Sequence, residues 1–466
     1  MRILICSGLL LTLSACSVEP IQPDLPPLDS PYVQPQGFAP QQSWWQHFGD
    51  AALNEFVRLG LQRNLDYQAA FYRLQQSQAS WDANGSGQYP TLSASLNRNS
   101  SRTASAGTAT TSSDSWSAGL SASYEIDFWG SIAAQKQQGE FQYLSTEAQL
   151  RTMSNTVAGE ITTAWFGWNI EQQTLALYQR QIERVEATLK AIRGRYARGK
   201  VEVSDVWQQE QTLAELQGNM AQSKARLTIY QQTLALWLAM PVGDLVLTPR
   251  AEPVTLDDIT KVNSESLQQR PDVLAAYFAL QSAHAGVAVA QANRYPRFTL
   301  GASYTASDES IANVFDNWAS NLVAGLVMPL IDGGARRAEV RRTEAVVKES
   351  IASYKQTLLA AAQEVEALLV NQQQQQVLVD SLNAQLALAR KTQAFQERRY
   401  GKGVGDFIEM ASAQQSVLQL ERQVLAARWQ SIQYRIQLYR ALAQGVTTQP
   451  SLNNINNKTE SAEVPS

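Results

Sequence analysis

The chain has 466 residues, 44% of them hydrophobic and 17% charged, with 38 Lys plus Arg against 42 Asp plus Glu. That length is ample for a large buried core, while a net charge of −4 and the lack of any Lys/Arg run interleaved with aromatics exclude nucleic acid as a partner. A mean hydropathy of −0.27, with no uninterrupted apolar run of 18 residues, argues against a helical membrane span, so any crossing must be made by strands.

Residues 1–15 read as a processing signal: Met1 and Arg2 give a short positive start, Ile3 to Leu13 an apolar stretch, and Leu13-Ser14-Ala15-Cys16 follows. This end is similar to a bacterial lipoprotein signal. The resemblance implies cleavage before Cys16 and diacylglycerol on its sulfur, with Ser17 similar to the sorting residue of outer-membrane lipoproteins. Cys6 leaves with the signal, so the mature chain has one lipidated cysteine and neither a disulfide nor a Cys metal site. Residues 16–41 hold seven of the 16 prolines and predict an extended tether. At the opposite end, the polar, Asn-rich residues 446–466 predict a disordered tail.

The body is one unit written twice, over 42–242 and 264–445, with 243–263 connecting them. Asp66, Leu74 and Tyr89-Pro90 match Asp272, Leu280 and Tyr295-Pro296 at an offset of 206, and Arg195-Tyr196 and Gly199 match Arg399-Tyr400 and Gly403 at an offset of 204. In the first copy the pattern predicts helices over about 51–88, 131–193 and 205–240 and strands over about 89–98 and 115–126. In the second it predicts helices over about 264–294, 335–397 and 406–444 and strands over about 296–305 and 317–328.

The strand segments alternate strictly. Leu92, Ala94 and Leu96, then Trp116, Ala118, Leu120, Ala122, Tyr124 and Ile126, are interleaved with Ser, Thr, Asn, Gly and Glu125; Phe298 to Tyr304 and Trp318 to Met328 repeat the pattern, with Ser320 as an interruption. One greasy and one wet face on segments of about ten residues is the signature of transmembrane β-barrel strands. Trp116, Leu120, Phe298 and Leu326 are expected to face lipid, and the polar stretches 99–114 and 306–316 are expected to be loops. Residues 131–193 and 335–397 contain no proline, and such a helix reaches roughly 90 Å if unbroken. The return helices carry heptad seams, Val206, Leu213, Met220, Leu227 and Leu234 in one and Met410, Val417, Val424 and Leu438 in the other, which predict antiparallel coiled-coil pairs.

Four strands cannot close a membrane barrel, which takes about eight or more, and an open sheet edge in lipid is prohibitive, so the chain must oligomerise. As a whole, residues 42–445 resemble the outer membrane factor family of TolC-like channels in its lipoprotein, OprM-like branch. The residues that carry the likeness are Arg270-Pro271-Asp272-Val273-Leu274-Ala275-Ala276, the two Tyr-Pro pairs, Tyr124-Glu125-Ile126-Asp127-Phe128-Trp129-Gly130, Met328-Pro329-Leu330-Ile331-Asp332-Gly333-Gly334, and the two Arg-Tyr tips. The resemblance implies a mixed α/β membrane protein: a homotrimer in which each chain gives four strands to one shared outer-membrane barrel and long helices to a periplasmic α-barrel. It also implies a periplasmic adaptor and an inner-membrane pump, most often of the RND type. In such a channel Arg195, Tyr196, Gly199, Arg399, Tyr400 and Gly403 are the adaptor-contacting tips, and Asp205, Asp406 and Glu409 are candidates for an acidic ring at the periplasmic gate. Ser412 stands where the family often has a further acidic residue. Glycines at the tips also read simply as helix C-caps, and the arginines as partners of the helix dipole.

No catalytic reading competes. His47 and His284 are the only histidines, and the repeat counterpart of His284 is Gln78. Gly401 to Gly405 lacks the spacing and the preceding strand of a phosphate loop. Six Met, two His and one mature Cys offer no soft-metal ladder. The expectation is therefore a passive exit duct for drugs or other small molecules with no cofactor. A non-conducting lipid-anchored coiled-coil tether and a type I secretion duct are the alternatives.

Overall fold

In the computed structural model the described residues are 20–24, 33–34, 43–104, 106–107, 109–250, 254 and 259–448. The signal peptide, Cys16, most of the Pro-rich tether and residues 449–466 of the tail lie outside them. The elements in chain order are β1 (Val33–Gln34), α1 (Ala51–Arg63), α2 (Leu65–Gly85), β2 (Thr91–Thr103), β3 (Thr111–Ile126), α3 (Ser131–Tyr196), α4 (Val203–Trp237), β4 (Val262–Asn263), α5 (Ser264–Gln268), α6 (Pro271–Ala292), β5 (Arg297–Asp308), β6 (Trp318–Val327), α7 (Ala335–Gly401) and α8 (Phe407–Leu442). The chain divides into two compact units: residues 73–147 with 275–356 (and 1–25), and residues 26–72, 148–274 and 357–466.

The first unit holds a four-stranded antiparallel sheet in the order β2, β3, β5, β6. Its register aligns every even-numbered residue on one face: Ala94 opposite Leu120 and Leu120 opposite Tyr304, Phe298 opposite Leu326, Ala302 opposite Leu322. That face is apolar from Leu92 to Leu326, and Leu92, Leu120, Leu322 and Leu326 are 74, 49, 85 and 61% exposed. The odd-numbered face carries Ser93, Ser121, Ser303 and Asn321 in one row across all four strands, with the Ser93 and Ser121 hydroxyls 2.8 Å apart. A one-residue slip would invert both faces, so the alternation fixes the register. Tyr304 stacks on Trp318 at 5.6 Å within the apolar band, and just beyond one end of it Trp129 stacks on Tyr295 at 4.6 Å and donates to the Pro296 carbonyl at 2.8 Å.

The strands run beyond the apolar band. Residues 99–114, expected as a loop, are mostly ladder: β2 continues to Thr103 and β3 begins at Thr111, leaving 104–110 as the connection. Likewise β5 extends to Asp308. Backbone pairing does not need a greasy side chain, and a Thr-rich hairpin continues the ladder in water. Where strand gives way to helix, Asp127 accepts hydrogen bonds from the Ile132 and Ala133 amides, and Asp332 does the same for Gly334 and Arg336. The aspartates of the two matching joints thus cap the first turns of α3 and α7 from outside the helix, the N-cap positions being Gly130 and Gly334.

The single helices expected over 51–88 and 264–294 are each broken. Asn64 adopts extended geometry between α1 and α2 (φ −60°, ψ 129°), where its side chain accepts from the Tyr67 amide and donates to the Trp237 carbonyl. The corresponding break, between α5 and α6, falls just before Pro271, whose ring disfavours helical geometry in the preceding residue. Helix α6 also corrects the hydropathy expectation, since with a mean hydropathy of 1.5 over its richest window it is long and apolar enough to cross a membrane. Its polar positions bond to protein instead: Gln281 exchanges hydrogen bonds with the Ile21 backbone and Ser282 donates to the Gln138 carbonyl.

The second unit is helical, with one short parallel pair, β1 with β4, that two residues of sequence could not announce. Helices α3 and α7 run 66 and 67 residues without a break. Of the heptad residues, Val206, Leu234, Met410, Val417, Val424 and Leu438 are buried, whereas Leu213, Met220 and Leu227 are half-buried; Val417, Val424 and Ala427 of α8 pack on Val379, Leu382 and Leu386 of α7, and Tyr178, Ile182 and Val185 of α3 pack on Leu216 and Leu418.

Candidate functional site

The two helical hairpins, α3 with α4 and α7 with α8, end in turns of one design. In the first, the Lys200 amide donates to the Arg195 carbonyl at 3.0 Å and the Gly199 amide to the Tyr196 carbonyl at 2.8 Å; in the second, Val404 donates to Arg399 at 3.1 Å and Gly403 to Tyr400 at 3.0 Å. This paired bonding is a Schellman cap, which places its penultimate residue in the left-handed region. Gly199 and Gly403 occupy it with φ of +63° and +73°, so each glycine is required by the turn itself.

Under the turns lies a common core of Leu189, Ile192, Val206, Phe407, Met410 and Ala411, with Val201, Leu213 and Tyr400 packed against it. The side chains around it do not follow the repeat. Arg399 forms an ion pair with Glu409 at 3.0 Å inside the second hairpin. Arg195, its counterpart, stands the same ten residues before Asp205 but instead lies over the Tyr400 ring, 4.2 Å from the centroid, and donates to the Tyr400 carbonyl at 3.3 Å. Arg195 thereby ties the first hairpin to the second. Tyr400 also packs on Phe407, ring centroids 5.9 Å apart, and its hydroxyl is buried with no hydrogen-bond partner among the described residues. Tyr196, the counterpart of Tyr400, is 48% exposed.

The three acidic candidates are distributed unequally. Asp406 is the N-cap of α8, accepting from the Ile408 amide at 3.1 Å. Glu409 is held by Arg399. Asp205 lies in the first turn of α4, and burial pushes its carboxyl above the usual carboxylate range, with the charges of Glu202 and Asp406 adding to the effect. The arrangement therefore offers one neutralised carboxylate, one committed to a cap, and one held where ionisation is disfavoured. Tyr196, Trp207, Val404 and Ile408 leave apolar surface exposed around it.

Further along the same helices the sequence reading missed a polar hub. Glu421 of α8, 9% exposed, accepts from Arg184 and Gln181 of α3 at 2.6 and 3.0 Å and from Arg390 of α7 at 3.0 Å. Burial raises its proton affinity, but these three donors outweigh it and hold the carboxyl below the ordinary Glu range. A single Glu within a solvated-looking helix face carries no sequence signal of such convergence. Among the described residues no group of His, Cys, Asp and Glu could hold a metal ion.

The family described as outer membrane efflux protein matches this chain twice, over residues 57–239 and 262–444. Among curated relatives, the pyoverdine export outer membrane protein OpmQ of Pseudomonas putida is 28% identical over 459 residues, covering 93% of this chain and 96% of its own length. The outer membrane protein OprJ of Pseudomonas aeruginosa is 27% identical, covering 93 and 94%. Among solved structures, the CmeC outer membrane channel of Campylobacter jejuni superposes with a TM-score of 0.83 at 18% identity, over 92% of this chain and 95% of that one, a likeness of fold.

Proposed function

The chain belongs to the outer membrane efflux protein family and is an outer-membrane efflux channel of TolC-like fold, and from that premise we propose that it acts as the passive exit duct of a tripartite assembly. Three copies would close one twelve-stranded barrel and one helical tunnel. The observation that carries this reading is the sheet: four strands, one apolar face, and free edges at β2 and β6. An open edge cannot remain unpaired in lipid, so β2 and β6 must meet neighbouring copies.

In this reading the energy comes from an inner-membrane pump, of the RND type, through a periplasmic adaptor that engages the tips at Arg195, Tyr196, Gly199, Arg399, Tyr400 and Gly403. Exposed Tyr196, Trp207, Val404 and Ile408 support it, because apolar side chains clustered at a turn suit a protein contact. Asp205, Asp406 and Glu409, each present three times, form the acidic periplasmic constriction. Cys16 carries the lipid anchor. The duct performs no chemistry of its own, and its cargo is small molecules or drugs selected by the pump.

Conductance of the purified oligomer across a planar bilayer tests the reading, and the oligomer is expected to pass ions as a trimer. A protein that inserts but conducts nothing under any applied potential would favour the coiled-coil tether instead. Identification of the adaptor and pump that co-purify with it distinguishes a drug duct from a type I secretion duct.

A further inference from the structure

Helix α7 begins with arginines that α3, its repeat counterpart, does without. Counted from the matching N-caps Gly130 and Gly334, Arg336, Arg337, Arg341 and Arg342 stand where α3 has Ile132, Ala133, Gln137 and Gln138. The same joint therefore forms without these charges. Helix energetics do not favour them either, because the first two turns lie at the positive end of the helix dipole and like charges four residues apart repel. Arg336 is compensated by Asp332 at 3.5 Å and Arg342 by Glu339 at 2.7 Å. Arg337 and Arg341 are exposed, and among the described residues neither makes an ion pair. The buried stripe of α7 runs through Val340, Thr343, Val347 and Tyr354, where Tyr354 meets Tyr277 of α6 at 5.8 Å. At about 100° per residue, Arg337 and Arg341 lie on one flank, about a third of a turn round from that stripe, with exposed Lys348 and Glu344 beside them.

The sheet sets the depth of this flank. Its apolar face ends at Phe298 and Leu326, and the Trp129 stack on Tyr295 lies just beyond, as aromatic side chains do at a membrane–water interface. Met328, Leu330 and Ile331, 56, 83 and 95% exposed, then lead from β6 into α7. At a rise of 1.5 Å per residue, Arg337 and Arg341 are about 3 and about 9 Å from the first residue of α7, and helical side chains lean toward the N-terminus, here toward the barrel. The headgroup layer on each side of a bilayer is about 5 to 7 Å thick. We propose that Arg337 and Arg341 bind the phosphate of an anionic phospholipid in the leaflet on the helix side of the barrel, one lipid per chain. A zwitterionic headgroup carries its own ammonium, so the pair selects a lipid such as phosphatidylglycerol. Free phosphate offers the same acceptors but has no acyl chain for the apolar residues alongside. The site rests on the sheet lying in the membrane and is independent of whether the assembly conducts.

Native mass spectrometry of the purified trimer, incubated at low salt with phosphatidylglycerol or with phosphatidylcholine at equal concentration, tests this. The wild type is expected to prefer phosphatidylglycerol by about thirtyfold, the effect of two cationic side chains at an anionic surface. Arg337→Ala combined with Arg341→Gln, which installs the residues α3 carries at these positions, is expected to abolish that preference while retention of phosphatidylcholine stays unchanged. Arg337→Lys combined with Arg341→Lys is expected to keep most of it. The yield of SDS-resistant trimer should match wild type in both variants, which separates loss of the lipid site from loss of the barrel. Equal retention of the two lipids by the wild type, an undiminished preference in the neutral variant, or displacement of the lipid by inorganic phosphate would each overturn the proposal. So would a neutral variant that loses trimer but keeps its lipid preference, which would assign the two arginines to a contact between copies.

Discussion

An arginine at Leu120 should separate the two faces of the sheet. From Trp116 to Ile126 the apolar face of β3 spans ten residue steps, about 34 Å at ~3.4 Å per residue. With a strand tilt of about 40° that is about 26 Å along the membrane normal, matching the roughly 25 Å apolar band of outer-membrane barrels. Leu120 lies one residue from the centre of that span, flanked on its own face by Ala94 and Tyr304. At that depth an arginine is too far from either headgroup layer to snorkel. It should cost about 2 to 4 kcal/mol in each chain, hence about 6 to 12 in a trimer. Ser121→Arg points to the opposite face and loses only the 2.8 Å contact with Ser93, a small loss for an exposed hydroxyl pair. Trimer recovered from outer membranes, read as the band resisting SDS without heating, should fall sharply for Leu120→Arg and stay near wild type for Ser121→Arg. Equal yields would refute the facing of the sheet, and a larger loss for Ser121→Arg would reverse it.

At the tips, removing the Glu409 carboxylate breaks its ion pair with Arg399 and should raise single-channel conductance and lower cation selectivity. Because Asp406 caps α8, Glu409→Ala is best combined with Asp406→Ser, which keeps an N-cap oxygen; recordings that match wild type in conductance and reversal potential would place the constriction elsewhere. The raised proton affinity of Asp205 means that the packed tip binds more protons than an unpacked one, so its stability is fully present below the ordinary Asp range and is lost as pH rises through the shifted value. Conductance should accordingly increase with pH through and just above the ordinary carboxylate range, and Asp205→Asn should flatten that response; an unchanged slope in the variant would assign the titration to another group. Cys16→Ser should abolish lipid attachment yet permit insertion, since one acylated cysteine holds a protein weakly beside a barrel. Radioactive palmitate that still labelled the variant would end the lipoprotein reading.

How far the sequence could be read depended on whether one physical rule decided a feature alone. The sheet was legible because a period of two assigns each side chain to a face without reference to anything distant, and even the interruption at Ser320 lies opposite Tyr304 on the expected face. The extent of the strands was not, because Ser and Thr between 99 and 114 satisfy a loop and an exposed ladder equally well. The break at Asn64 carried a local signal, an Asn whose oxygen caps α2 by accepting from the Tyr67 amide three residues on, and only its second bond, to the Trp237 carbonyl 173 residues away, lay beyond local reading. The glycines of the tips were legible as caps. What their arginines touch was not, since Arg195 has a carboxylate ten residues ahead and a tyrosine in the other hairpin, and only packing chooses between them.

That choice bears on how such a duct would open. The two copies keep the same cap and spend the same arginine differently: Arg399 closes the second hairpin on itself through Glu409, whereas Arg195 crosses to the ring and carbonyl of Tyr400. Asp205 is one methylene shorter than Glu409 and is disfavoured as an anion, so it competes poorly for Arg195. At the turns, then, the polar contact between hairpins, above the apolar core they share, is a cation on an aromatic face with one neutral carbonyl. Such a contact is worth about 0.5 to 2 kcal/mol, of the same order as the largely exposed Arg399–Glu409 pair at about 0 to 1. A partner that offered Arg195 a carboxylate at the tips could exchange the contact at little net cost, leaving the second hairpin intact while the first moved. Arg195→Ala should therefore raise conductance as much as Tyr400→Leu does, with no further gain from combining them; additive effects would show that the two residues act on separate contacts.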